Sequence, residues 1–371
     1  MIKGVNLGNW LVLEKWMSPS LFEGTTAEDE TALCQQQLDP AVKLERFRTH
    51  RNGYISERDF AYLAGLGIEA VRIPVPYFVF GDVEPFVGCI EYVDAAFEWA
   101  AAYGLKIMLD LHTVPGSQNG FDNGGLCGVC RWHRDPEGVT FVLDLLERLT
   151  LRYRDHPARW AIQVVNEPIS PELWTGLDIP SRYPAADPEQ AAGSEGVPSD
   201  FLRQFYRDAY RRIRAADPDV TIVFHDGFRL AEWGSFFTDE GFDNYLLDTH
   251  LYLMMHTWAD GETDIDGYLR YIDTDFRPAL AAAAQHSPLI VGEWCMSTAA
   301  ESIVTADRAI QRDYYRRITE AQLDAWSATQ GWFYWSYKLQ VSGAGLDGWD
   351  LGKAVSLGYF PDGHLTPAAG S

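Results

Sequence analysis

Residues 160–168 read Trp160-Ala161-Ile162-Gln163-Val164-Val165-Asn166-Glu167-Pro168, an apolar run that stops on Asn166 and Glu167 and is then cut off by proline. A run of this length, apolar on nearly every position, marks a strand covered on both faces, as in a parallel sheet. Polar residues at its C-terminal end are what a strand of a (β/α)₈ barrel presents at the active-site rim.

Working outward, the same pattern recurs. Runs at 2–7, 69–73 and 105–112 precede it, and runs at 220–225, 245–250, 288–293 and 331–335 follow. Helical spacing separates them: Ile90, Val93, Phe97 and Ala100 recur at three and four, as do Val142, Leu145, Leu146, Leu149 and Tyr153. Ser56 with Asp59 three residues on forms a capping signal for another helix. Strands alternating with helices in this way predict an α/β protein, a single (β/α)₈ TIM barrel over residues 1–371. A doubly wound open sheet would offer a glycine-rich phosphate loop after its first strand, and Gly4, Gly8 and Asn9 do not make one.

Polar and aromatic residues fall at the same end of every run: Asn6, Arg72, His112, Asn166 with Glu167, His225 with Asp226, His250 with Tyr252, Glu293 and Trp335. Scattered core polar groups would have no reason to choose one end. Long segments follow these ends, at 23–52, 175–200, 253–267, 295–311 and 338–358, and are expected to wall a pocket. The Pro- and Gly-rich stretch 176–198 is the expected mobile wall.

The 371 residues carry a formal net charge of −23, which disfavours nucleic acid and anionic membranes as partners and suits a neutral substrate. Aromatics at 13%, including 13 Trp, leave material for a sugar-binding cleft after the core is filled. No run reaches the roughly 18 to 20 apolar residues of a membrane span. The N-terminus has no secretory signal, so a cytoplasmic location is expected, and five cysteines suit reduced thiols.

Cleaving a glycosidic bond needs a proton for the leaving oxygen and a negative group beneath the anomeric carbon, and two carboxyls facing each other supply both. Glu167 ends the fourth run and Glu293 the seventh, on strands that lie across a barrel mouth from one another. Either triplet, Asn166-Glu167-Pro168 or Gly292-Glu293-Trp294, is weak alone; the pair on these two strands is not.

The chain resembles glycoside hydrolase family 5, and within it the exo-β-1,3-glucanase branch. Carrying the resemblance are Gly4-Val5-Asn6-Leu7-Gly8, Val71-Arg72-Ile73-Pro74, Asp110-Leu111-His112, the nine residues from Pro115 to Asn123, Asn166-Glu167-Pro168, Gly292-Glu293-Trp294 and Ala321-Gln322-Leu323-Asp324-Ala325. The resemblance implies a retaining β-glycosidase acting on terminal β-glucosyl units, with Glu167 as acid/base and Glu293 as nucleophile, and no cofactor or metal. It also implies supporting roles for Arg72, His112, Asn166, His250, Tyr252 and Trp335, and a sugar-hydroxyl ligand in Glu14, with Trp16 in place of a Tyr. Arg72 is expected to orient Glu293 and keep it ionised, Asn166 to meet the sugar 2-hydroxyl, and Glu167 to have a raised pKa.

The branch also implies aromatic outer subsites. Trp132 is expected to keep the first, whereas Met254 and Met255 stand where a Phe would form the second. A β-glucoside or β-glucan oligosaccharide is therefore the expected partner, with a small apolar aglycone favoured because Met suits irregular apolar groups. The runner-up is a rutinosidase-like diglycosidase. Readings of another class are a non-catalytic carbohydrate-binding barrel, which would be expected to have lost one Glu, and a metal-dependent hydrolase using His112, His225 and His250. Cys127, Cys130 and His133 have zinc-like spacing but no second cysteine pair beside them.

Overall fold

In the computed structural model the described residues are all but 37–38, 262–263, 299, 301–302, 304–306, 344 and 366–371. Eight parallel strands close into a barrel in sequence order: β1 (Ile2–Asn6), β2 (Ala70–Val75), β3 (Lys106–Leu111), β4 (Arg159–Gln163), β5 (Thr221–His225), β6 (Tyr245–His250), β7 (Leu289–Trp294) and β8 (Gly331–Tyr334). β8 returns to pair with β1, Gly4 opposite Phe333. All eight expected runs are strands, and the TIM barrel is the fold.

The strand period of two explains what fills the barrel. Ala70, Met108, Ala161, Val223, Leu246, Ile290 and Phe333 form one buried cluster, an apolar floor. Their alternate neighbours, among them Val71, Ile107, Ile162, Ile222, Leu247, Val291 and Trp332, face outward into the main core under the helices. Two residues beyond the floor positions come Arg72, Asp110, Gln163, His225, Asp248 and Gly292, a polar layer that the same periodicity places inside. Gly4 has no side chain because Phe333 takes that space; a Cβ there would sit 2.2 Å from its ring.

The helix over Glu57–Gly65 opens on the expected capping box, with Asp59 Oδ2 accepting the Ser56 backbone N–H at 2.7 Å. Helices Ile90–Tyr103 and Pro136–Tyr153 bury the expected apolar stripes. Not all expected loops are loops. The 23–52 segment contains helices Glu30–Gln36 and Pro40–Tyr54, the second started by Asp39, whose carboxylate accepts from the Ala41 and Val42 N–H groups. The 253–267 segment starts with helix Leu253–Asp260. The 176–198 stretch, expected as a mobile wall, is tied down at its far end: Val197 N–H donates to Ile169 O at 2.7 Å, Glu195 N–H to Cys130 O at 3.2 Å, and Arg134 to Gly193 O at 2.7 Å. Part of 295–311 lies outside the described residues. Among the described residues no helix is long and apolar enough to cross a membrane.

Candidate active site

The C-terminal barrel mouth holds a cavity of about 340 Å³ bordered by Glu167 and Glu293. Backbone irregularities aim both side chains. Glu167 adopts the left-handed conformation, φ 47°, rare outside glycine and typical of positions held for function. At the end of β7 the register shifts against both neighbouring strands. A shift of this kind moves side chains to the other face. Val291 therefore faces the outer core, yet Glu293, two residues on, turns into the cavity, while Trp294 packs outward on Trp326, Trp332 and Tyr334. Gly292 is the hinge of that turn: its N–H donates to Asp248 Oδ1 at 2.6 Å, and a Cβ would lie 2.2 Å from both carboxylate oxygens.

Each carboxyl is held twice. Glu293 accepts from Arg72 Nη1 at 2.7 Å and from the Tyr252 hydroxyl at 2.7 Å. Glu167 accepts from Asn123 Nδ2 at 2.8 Å and from His250 Nδ1 at 2.7 Å. His250 Nδ1 also stands 3.5 Å from Glu293 Oε2, so these two legs leave one oxygen of each carboxyl at most about 6 Å apart, a ceiling that admits the roughly 5 to 5.5 Å of a retaining pair.

Behind them the polar layer is bonded throughout. Arg72 donates to Asn6, Gln163 and Asn166 besides Glu293, and pairs with Asp110 at 3.1 Å. Asp110 holds His112 Nδ1 at 2.5 Å, and the His112 ring stacks on Trp335 at 5.6 Å. Asp248 bridges Gln163 and His250 Nε2. Arg72, His112, Asn166 and His250 thus lie beneath the cavity and support it, while Glu14, Tyr252, Trp335 and Met255 border it. Asn166, expected at the sugar 2-hydroxyl, is fully enclosed, its Oδ1 taken by Arg72 and its Nδ2 facing His112 Nε2 at 3.4 Å.

Trp132 is a correction. It is fully buried, edge-on to Phe201 and Phe205, and does not border the cavity. Its closeness in sequence to the Pro115–Asn123 loop says nothing of where its ring points. Met254 and Met255 do border the cavity rather than lying behind its wall.

Electrostatics correct a second expectation. Burial alone would raise Glu167, but the hydrogen bond and charge of His250 hold its carboxyl below the ordinary range. Burial would lower His250, yet Glu293 and Asp248 push it up to about 10. Both directions favour His250 over Glu167 as the holder of the shared proton. Burial keeps Glu293 above the usual carboxylate range even though His250 and Arg72 pull it down. Glu14 is driven well up by burial and by Asp122, with the Trp16 indole N–H, 2.8 Å from Oε2, offsetting part.

Glu167, His225 and His250 offer ligand atoms within 4.8 Å of one another. Their hydrogen bonds fit a metal poorly: His225 Nδ1 accepts the Gly227 N–H at 2.9 Å, and both nitrogens of His250 face carboxylates. His112 Nδ1 is likewise taken by Asp110. Cys127 and Cys130 are buried free thiols. An open depression of about 960 Å³ beside helix Pro40–Tyr54 shares no lining residue with the catalytic cavity.

Sequence reasoning missed Asn123 as a partner of Glu167, and Asp110 and Asp248 beneath the histidines. The signal was present as Asp110-x-His112 and Asp248-x-His250, a spacing that puts both side chains of a strand on one face.

The comparisons with known proteins agree with this geometry. Residues 35–339 match the family model described as cellulase, glycosyl hydrolase family 5. The chain is 34% identical to a probable glucan 1,3-beta-glucosidase A of Aspergillus terreus, covering 97% of this chain and 88% of that protein. It is 32% identical to the protein of the same name in Emericella nidulans, covering 97% and 90%. The solved rutinosidase of Aspergillus niger superposes with a TM-score of 0.75 at 22% identity, over 97% of each chain. The chain belongs to glycosyl hydrolase family 5.

Proposed function

We propose that the chain is a retaining β-glycosidase that removes a terminal β-glucosyl unit by double displacement. The observation that carries this reading is the pair of buried carboxyls facing one cavity and bridged by His250. The names of the fungal relatives support the glucosyl specificity.

Glu293, oriented by Arg72 and Tyr252, attacks the anomeric carbon as the bond to the leaving oxygen breaks. Glu167 protonates that oxygen, having taken the proton from His250 Nδ1, 2.7 Å away, as the substrate displaces water. A water then attacks the glycosyl-enzyme, giving its proton to Glu167 and freeing the Glu293 carboxylate. Trp335 lies beneath the sugar, and Glu14 and Asn123 meet its hydroxyls. At about 340 Å³ the cavity is at the small end for ligand sites, which suits one sugar and a compact leaving group. With Leu177, Ile179, Phe228, Met254 and Met255 on its wall, a small glucoside with an apolar aglycone is preferred over a long β-1,3-glucan.

Proton NMR of the first-formed sugar tests the mechanism: the β-anomer is expected, and an α-anomer rules out retention. Glu293→Gly should lose turnover and regain it with azide, while Glu167→Ala should keep activity on activated aryl glucosides. Comparing kcat/KM for an aryl β-glucoside, laminaritriose and a rutinoside tests the substrate. A tenfold advantage for laminaritriose, about 1.4 kcal/mol, ends the apolar-aglycone reading, and an advantage for the rutinoside selects diglycosidase action.

A further inference from the structure

The cavity has two chemically distinct halves. The segments after β8 and β1 contribute Glu14, Trp16, Trp335 and Trp349; those after β4, β5 and β6, neighbours in the barrel, contribute the apolar wall and Arg182. Since Glu167 ends β4 and protonates the leaving oxygen, the β4 to β6 half receives the aglycone.

Arg182 is anomalous there. The described lining carries four carboxyls, Glu14, Asp122, Glu167 and Glu293, and Arg182 is its one Lys or Arg. The guanidinium is fixed rather than free-swinging: Nε donates to Leu177 O at 2.7 Å, and Cζ lies 5.0 Å from the ring centroid of Trp258. Trp258 is itself 39% exposed, a large apolar face left open on the cavity wall. Nη1 and Nη2 make no hydrogen bond or ion pair with the described residues, so a planar donor pair is presented to whatever occupies the aglycone half. Guanidinium groups placed in this way recognise carboxylates bidentately.

We propose that Arg182 and Trp258 form an aglycone subsite selective for an aromatic ring bearing a carboxylate. Trp258 and the apolar wall take the ring, and the Arg182 Nη donors pair with the anionic group, which the ionised carboxyls of the cavity would otherwise repel. The proposal rests on the glycosidase reading for its substrate class.

Two near-isosteric ligands test it, 4-carboxyphenyl and 4-carbamoylphenyl β-glucoside, titrated calorimetrically into the Glu293→Gln protein so that binding is read without turnover. The carboxylate is expected to bind about fivefold tighter than the amide, the reach of an exposed ion pair, and the ratio to shrink in high salt. Arg182→Met should bring the ratio to one or below, as the carboxyls then act unopposed, and Arg182→Lys should restore part of it. An unchanged ratio in Arg182→Met, or a wild-type preference for the amide, overturns the proposal. If Arg182-dependent binding is found while the wild-type enzyme cleaves neither compound, the subsite stands and the glycosidase reading fails; if both are cleaved with no charge preference, the glycosidase reading stands and the subsite fails.

Discussion

His250 is the residue on which the chemistry of the site turns. Its Nδ1 is shared between Glu167 at 2.7 Å and Glu293 at 3.5 Å, and Asp248 backs its Nε2 at 3.3 Å. Three groups so close titrate as one unit, and the limbs of a pH profile belong to that unit. The sign follows from the directions above. The working form keeps one proton on the pair His250 and Glu167 and none on Glu293. The acid limb therefore lies above the ordinary carboxylate range, because burial raises Glu293. The alkaline limb is set by loss of a proton that His250 holds with a pKa of about 10. In His250→Gln that proton has only Glu167 to sit on, and the alkaline limb of kcat/KM should move down by one unit or more. A limb that stays in place would show that His250 does not store the proton.

At the scale of elements, β7 shows what could be read from the sequence and what could not. The strand run, its position opposite β4 and its closing Glu293 were legible from apolar periodicity and from the Gly292-Glu293-Trp294 triplet. The register shift was not, because alternation carried through from Val291 sends Glu293 out into the helices; only tertiary pairing with β6 and β8 reverses it. Likewise, the Asp39-Pro40 start of helix Pro40–Tyr54 was a readable cap and proline signal, passed over because the segment lacks a clear apolar stripe. Trp132 failed for another reason: a sequence gives a ring's position along the chain, and the Phe201 and Phe205 contacts that swallow it come from a distant helix. The bulge makes Gly292 a test of its own. Gly292→Ala drives a methyl into the Asp248 carboxylate and should cost about 2 to 4 kcal/mol in stability, with a loss of kcat from misaimed Glu293. In thermal melts Gly292→Ala should cost less in an Asp248→Ala background than in the wild type, since the crowding is absent there; an equal cost in both backgrounds would point away from that contact.

Over the whole molecule, the acidic chain buries several carboxyls that its fold keeps protonated into the neutral range, and this sets how stability follows pH. Burial pushes Glu30, against the pull of Arg51, and Asp226, against the pull of Thr249, up to about 7. In the unfolded chain both ionise near the usual carboxylate pKa of about 4. Groups with a raised folded pKa give stability that is complete below the unfolded value and lost as pH rises through the folded one. His250 acts with the same sign but higher, from its unfolded value near 6.5 to about 10. His50, lowered by burial to about 4, and His225, lowered well below its ordinary value by burial and by the charge of His250, act the other way, gaining stability as pH rises, but only below about 6.5. Above that pH they are neutral in both states and drop out. From pH 6.5 the surviving terms fall in succession, the carboxyls until about pH 7 and His250 on toward about 10, each by up to about 1.4 kcal/mol per pH unit within its window, and the self-repulsion of a chain with a formal net charge of −23 adds to them. The melting temperature should therefore decline steadily across this range. Glu30→Gln and Asp226→Asn should each flatten the portion near pH 7, and His250→Gln the portion above pH 8. A melting temperature that is level or rising between pH 6.5 and 9.5 would mean that Glu30 and Asp226 are already ionised, and His250 already neutral, in the folded protein at the start of this range.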